Sequence, residues 1–195
     1  TENVSVLNET LIAHLDPSKK KRVVTTCPHC FNALFNDYPQ LGGHYDVLHH
    51  TQLIEELMRA GRLPPLAHEG RLTYHDPCYL GRHNGVYDAP RKVLQSGGSS
   101  FAELPRHRND SFCCGAGGAQ FWKEEEAGTM RVSENRFREI AASGAQVAAV
   151  GCPFCKVMLQ ASDSAQAETA PQVLDIAQLV AGRLEQIQSK LDSAR

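Results

Sequence analysis

The sequence predicts an α/β protein built from duplicated units, each a small, mainly parallel sheet flanked by helices. Three observations predict it. Short β-branched or apolar runs alternate with longer amphipathic stretches, the pattern of strands joined by helical crossovers. Two of those runs, 22–26 and 146–151, each lead into Cys-Pro-x-Cys. The surrounding residues also recur: Arg22–Cys30 resembles Gln146–Cys155, and Val47-Leu48 with Gln52-Leu53-Ile54 resembles Val173-Leu174 with Gln178-Leu179-Val180. The offset is 125 at the cysteines and 126 at the later block, which argues for a repeated unit with one insertion.

Each element has a local reason. Residues 22–26 read as a buried strand, and Pro28 suits the first position of the helix that follows, where a missing N–H costs nothing. His49-His50 falls opposite Asp175-Ile176 in the repeat and reads as helix-start packing. Arg71–His75 forms a strand running into Asp76-Pro77-Cys78, and Asp88-Ala89-Pro90 opens a helix that Ser96-Gly97-Gly98 ends. Phe121–Ala142 is predicted to be mostly helical with a break at Gly128. Residues 146–151 and Pro153 repeat the strand, turn and helix, and Asp175 starts a last helix with Ile176, Leu179, Val180, Leu184, Ile187 and Leu191 on one face. Subtracting the offset from Cys78 and Cys113 gives positions before residue 1. Residues 1–66 are therefore expected to be the C-terminal half of a first unit, and 67–195 a complete second unit with its C-terminal helix. The chain, which does not begin with Met, reads as the C-terminal part of a longer polypeptide.

Composition narrows the function. The 195 residues are 42% hydrophobic and 22% charged, ordinary for one compact domain or a fused pair. A net charge of −2 gives no basic face for nucleic acid. The one basic run, Lys19-Lys20-Lys21-Arg22, reads as a solvated loop. No apolar run approaches the roughly 20 residues of a membrane span, and the N-terminus lacks the basic-then-apolar character of a signal peptide. Seven cysteines, grouped as 27/30, 113/114 and 152/155 with Cys78 alone, are too sparse and too clustered for a disulfide scaffold. They fit a metal centre in a reducing compartment.

Residues 67–195 hold five of them, spaced C-x34-CC-x37-CxxC. Iron–sulfur clusters are held by cysteine thiolates. Two adjacent side chains reach one centre only if the backbone bends sharply, and Cys113-Cys114-Gly115-Ala116-Gly117-Gly118 supplies the freedom to do so. A helix beginning at Pro153 directs free N–H groups toward an anionic site and would raise a cluster's reduction potential. A zinc-stabilised interaction module is the non-redox alternative, but zinc prefers four ligands. A thioredoxin-like dithiol leaves Cys78 and the Cys-Cys pair unexplained.

The pattern C…CCG…CPxC resembles the cysteine-rich CCG domain of heterodisulfide reductase catalytic subunits and the related iron–sulfur subunits of glycolate, lactate and glycerol-3-phosphate oxidation. The resemblance implies that Cys78, Cys113, Cys114, Cys152 and Cys155 bind a noncubane [4Fe–4S] cluster. It assigns Cys27 and Cys30 to a second cluster whose other ligands lie upstream. The wording His75-Asp76-Pro77-Cys78-Tyr79-Leu80-Gly81-Arg82, Tyr87–Arg91 and CCGAGG followed by Phe121-Trp122 is similar to one branch. That branch is the cytosolic part of membrane-bound electron transfer flavoprotein:menaquinone oxidoreductases. It implies an electron-transfer domain of a larger oxidoreductase, with a flavoprotein donor, a membrane quinone-reducing region and a place on the cytoplasmic face of the membrane. Disulfide reduction, as the heterodisulfide reductase relatives perform, is the alternative redox role.

His75, three residues before Cys78, is the candidate for a hydrogen bond or proton donor beside the cluster. His29 has Phe154 as its repeat counterpart and is not read as a ligand. Phe121 and Trp122 read as core or as a shield against water, and Glu124-Glu125-Glu126 as a solvated helix face or an acidic docking patch.

Overall fold

The structure is a computed structural model that describes residues 2–14, 21–124 and 127–193. After α1 (Glu2–Val6) come β1 (Val23–Thr25), α2 (Pro28–Asn32), β2 (Val47–His49) and α3 (His50–Arg59). Then follow β3 (Leu72–Tyr74), α4 (Asp88–Gln95), β4 (Phe101–Ala102), α5 (Val132–Ala142), β5 (Val147–Val150), α6 (Pro153–Gln160), β6 (Gln172–Asp175) and α7 (Ile176–Ser193). Strands β1 and β2 pair in parallel, and a second sheet has the order β4-β3-β5-β6, parallel throughout. The α/β class follows directly.

Pairing within the two sheets corresponds. Val24 stands opposite Leu48 and Thr25 opposite His49 in β1–β2. Ala149 stands opposite Leu174 and Val150 opposite Asp175 in β5–β6. These are the same register pairs shifted by 125 in the first strand and 126 in the second. Cys27 and Cys152 both sit in extended conformation just ahead of a helix that begins with proline.

Every residue of β5 is buried because helices cover both faces of its sheet. Val147 and Ala149 face Leu66, Leu72, Val93, Leu94, Ile176, Leu179 and Val180, with Ile54 and Met58 of α3 closing that side. Ala148 and Val150 face Phe137, Ile140, Leu159 and the buried Cys114, Cys152 and Cys155. Alternate residues of one strand thus serve two cores, one of which contains the cysteines. Fully burying Phe137 and Ile140 stabilises the second core by about 1.5–3 kcal/mol each.

Strand β3 connects outward to β4 and onward to β5 on its other side, so the chain reverses direction of progress between β3 and β5. Open α/β sheets present their sites at such a reversal, beyond the C-terminal strand ends. The two ends here are His75-Asp76-Pro77-Cys78 and Gly151-Cys152.

Five expectations change. Phe121–Ala142 is not one broken helix: a 3₁₀ stretch ends at Trp122, and α5 starts only at Val132. Just before this segment, Gly118 and Ala119 take left-handed angles, at φ +65° and +63°. Trp122 is 71% exposed, so it is neither core nor a closed shield, although its ring and that of Phe121 meet Phe154 at 5.7 and 5.3 Å. Glu124 is exposed and non-helical, while Glu125 and Glu126 lie outside the described residues. Lys19 and Lys20 also lie outside them. The rest of that run is not a free loop: Lys21 donates to the Ile12 carbonyl, and Arg22 forms a two-pronged bridge to Glu56. On α7, Ile176, Leu179 and Val180 are buried, whereas Leu184 and Leu191 are exposed.

Candidate metal centre

The site grows from the two strand ends. β3 passes through the buried His75 and Asp76 into Cys78, and the His75 N–H donates to the Ala149 carbonyl of β5 at 3.0 Å. β5 ends at Val150, Gly151 follows, and Cys152 and Cys155 lie across the start of α6. Cys113 and Cys114 arrive on the loop after β4, where Gly115 adopts φ +92°. A Cβ there would meet the Ser133 nitrogen at 3.2 Å and Met158 Cε at 3.3 Å. Both the backbone conformation and the closeness of α5 and α6 therefore require glycine.

Cys114, Cys152 and Cys155 are buried, and Cys78 and Cys113 are partly exposed. The ligand atoms of His75, Cys114 and Cys155 all lie within 4.8 Å of one another. The remaining sulfurs join through shared protons and charge. Cys114 is pulled far below the usual thiol range, first by hydrogen bonding with Cys113, then with Cys155, with His75 adding to it. Cys113 is pushed up correspondingly by Cys114 and then by burial. Cys152 falls to about 5, chiefly through Cys155, with His29 and the N–H groups of Cys155 and Phe154 helping against burial. Cys155 is held well above the ordinary thiol range by Cys114 and Cys152. Burial, and then the charge of Cys114, raises Cys78.

Negative charge thus concentrates on Cys114 and Cys152, and neighbouring thiols donate into it. A cationic centre would take over what those protons do, which is the condition for metal binding to thiolates. Further N–H groups already point at sulfur: Gly115 donates to Cys113 at 3.3 Å, and the Tyr79 N–H favours the Cys78 thiolate. The chemistry of the donor set fits an iron–sulfur centre: Cys114 and Cys155 lie within 4.8 Å, thiols of Cys113 and Cys152 interact with them, and backbone N–H groups face sulfur.

Cys27 and Cys30 sit at the start of α2. Cys30 is exposed, its thiol raised first by desolvation and then by Cys27, and the field of Cys152 reaches it. His29 fills the gap between the two cysteine sets, its Nδ1 at 3.7 Å from Cys27 Sγ and its ring at 4.2 Å from Tyr79 and 5.5 Å from Phe154. His49 and His50 do start α3. Gln52 accepts from the His49 N–H at 3.0 Å, His49 Nδ1 lies 2.8 Å from Thr51 Oγ1, and His50 Nε2 lies 3.0 Å from Asp175 Oδ1 of the corresponding strand end.

The sequence reading missed two buried arginines that hold the site. Arg91 grips Asp76 through two bonds of 2.7 and 2.8 Å and reaches Glu103 at 2.6 Å, while the Arg108 N–H also donates to Asp76. Arg136 donates from Nε to His75 Nδ1 at 3.0 Å. The available signal for Arg136 was its place on the stripe of Ser133, Phe137 and Ile140, where an arginine has no reason to face water.

A family described as the cysteine-rich CCG domain matches residues 72–160. The chain is 39% identical over 168 residues, 82% of its length, to the EtfAB:quinone oxidoreductase of Syntrophomonas wolfei, covering 24% of that protein. It is 38% identical over 179 residues to the probable iron-sulfur-binding oxidoreductase FadF of Bacillus subtilis, 90% of this chain and 25% of the relative. It is 37% identical over 176 residues to a subunit of the dihydromethanophenazine:CoB–CoM heterodisulfide reductase of Methanosarcina barkeri, 84% of this chain and 41% of the relative. The chain therefore spans well under half the length of these relatives. Residues 72–160 are therefore a cysteine-rich domain of the CCG family.

Proposed function

We propose that this chain is an iron–sulfur electron-transfer domain of a larger oxidoreductase, with Cys78, Cys113, Cys114, Cys152 and Cys155 holding one cluster. The observation that supports the reading is the cluster of ligand atoms of His75, Cys114 and Cys155 within 4.8 Å, with Cys113 and Cys152 hydrogen-bonded to Cys114 and Cys155. A cluster bound there supplies one-electron redox chemistry. The chain's own residues orient the thiolates, direct N–H groups of Gly115, Tyr79, Phe154 and Cys155 at them, and bury three of the five sulfurs. The cluster is of the noncubane [4Fe–4S] type. Residues 67–195 form the complete unit. Residues 1–66 are half of a related one, a division supported by the matching strand registers, and Cys27 and Cys30 belong to a second cysteine set.

In this reading electrons come from a flavoprotein, by analogy with the relative named EtfAB:quinone oxidoreductase, and pass toward a quinone. None of the described helices is long and apolar enough to cross a membrane. The domain works at the cytoplasmic face through other parts of its protein.

Anaerobic purification with assays of iron, acid-labile sulfide and zinc, followed by electron paramagnetic resonance in both redox states, tests the reading. Iron and sulfide in roughly equal amounts, at about four irons per chain, are expected. Stoichiometric zinc without sulfide would sink it. Replacing Cys114→Ser should change the spectrum, and an unchanged signal removes the fifth ligand.

One observation favours a second reading, disulfide reduction: a second cysteine pair adjoins the site, with His29 between Cys27 and Cys30 packing its ring on Phe154 of the other Cys-Pro-x-Cys at 5.5 Å. Turnover of a disulfide substrate, combined with no cluster reduction by reduced electron transfer flavoprotein, would select it.

A further inference from the structure

Arg136 is fully buried, and an arginine withdrawn from water is tolerated only when its donors are used. Here they are used. Nη1 donates to the Arg106 carbonyl at 2.9 Å and to Glu139 Oε2 at 2.8 Å, and Nη2 to Ser111 Oγ at 3.4 Å. Nε donates to His75 Nδ1 at 3.0 Å. Arginine has five N–H donors and no acceptor, and it does not deprotonate in proteins. His75 Nδ1 must therefore be the acceptor, and the imidazole carries its proton on Nε2. Nδ1 being taken, Nε2 is the nitrogen left for the sulfurs of Cys114 and Cys155, which lie within 4.8 Å of the ring's ligand atom.

We propose that Arg136 is a positioning residue that fixes the tautomer of His75, so that His75 meets Cys114 as an N–H donor and is not a metal ligand. A histidine with two cysteines in close reach has the composition of a metal site, and only the arginine behind it separates the two roles. The rest of the ring's surroundings agree. The His75 backbone is fixed by its bond to Ala149, and Ser111, which receives the Arg136 bond, itself donates to the Asp76 carbonyl at 3.1 Å. Ring, arginine and strand end thus form one hydrogen-bonded frame, and Glu139 balances the guanidinium charge without drawing on His75.

The proposal rests on the reading of the five cysteines as cluster ligands, but its first test does not. Nitrogen NMR of protein labelled with 15N-histidine and purified without paramagnetic iron should show His75 protonated on Nε2 and bare on Nδ1. The opposite tautomer overturns the proposal whether or not a cluster is ever found. In cluster-loaded protein, pulsed electron paramagnetic resonance should show only weak nitrogen coupling from His75, and a strong coupling typical of direct ligation overturns it. His75→Phe should lower the midpoint potential at unchanged iron and sulfide content, because N–H···S bonds raise it. Arg136→Met should shift the potential the same way, and Arg136→Lys, which keeps a donor, should recover part of the shift. A loaded Arg136→Met protein with the unchanged potential would refute the positioning role. If that variant does not fold, the tautomer measurement on the unmodified protein still decides.

Discussion

Removing one partner of the Asp76–Arg91 pair should be among the most damaging changes outside the cysteines. Arg91→Met deletes both bonds to Asp76 while keeping a side chain of similar reach. Asp76 is 2% exposed at its side chain and retains only the Arg108 N–H, so its carboxylate is left nearly unpaired in a dry site. Glu103, at 34% exposure, can return to water and adds little. Breaking a buried pair from one side costs about 3–5 kcal/mol. For a protein of this size each kcal/mol moves Tm by about 2–4 °C, so a fall of roughly 6–20 °C is expected. Thermal unfolding followed anaerobically by circular dichroism at pH 7 measures it. The double change Asp76→Leu with Arg91→Met should recover much of the loss, since replacing both members of a buried pair by apolar groups is often near neutral. A single-variant shift below about 2 °C, or a double variant no better than the single, would refute the claim that the charge left behind is what costs stability.

Three other changes test separate parts of the structure. Gly115→Ala forces a side chain into the left-handed region and against the Ser133 nitrogen, so iron retention after gel filtration should fall well below that of the parent; equal iron would show that the loop can relax. His49, buried and held at a pKa of about 3, first by desolvation and then by His50, with Asp175 opposing, stays neutral in the fold. Its contribution is therefore complete above pH 6.5 and declines as acid protonates the unfolded chain, by about 2 kcal/mol at pH 5. The stability gap between parent and His49→Asn should narrow from pH 7 to pH 5 in urea titrations, and a constant gap would contradict a neutral buried imidazole. Cys27→Ser with Cys30→Ser should leave iron bound to the five-cysteine site unchanged, whereas Cys152→Ser should lose or alter it. Equal losses from both would place all seven cysteines in one centre.

Much of the fold was legible because its signals are local. Val23–Thr25 and Val147–Val150 announce strands by composition, and Pro28 and Pro153 mark helix starts through their missing N–H groups. The candidate cysteines were legible from spacing, and the structure sets Cys114 and Cys155 within 4.8 Å of each other and of a ring nitrogen of His75. Phe121–Ala142 was misread because its charged residues favour helix, whereas the helical part begins only at Val132. Arg136 and Arg91 escaped for a different reason. Arg136 with Glu139 reads as an exposed pair three residues apart on a helix, yet its decisive partner His75 is 61 residues away. Asp76 stood in a recognised motif, but its role depends on Arg91, 15 residues on.

That division follows from what each class of residue does at the site. Cysteines supply the donor atoms, and their types and spacing carry the chemistry directly. Holding them in place is the work of groups whose identity says little until the chain closes on itself. His75 is the clearest instance, since a histidine beside two cysteines is equally suited to coordinate a metal or to donate to a thiolate. The sequence around it is compatible with both. The choice is made by the nitrogen that Arg136 occupies, from a helix the chain reaches only after β4 and the Cys113-Cys114 loop. Because the connections leaving the paired strands β3 and β5 run to opposite sides of the sheet, His75 and Cys152 leave neighbouring strands side by side, and α5 places a charged side chain behind His75. The reversal thus positions the sulfurs and also admits the buried arginine that decides what the histidine can be.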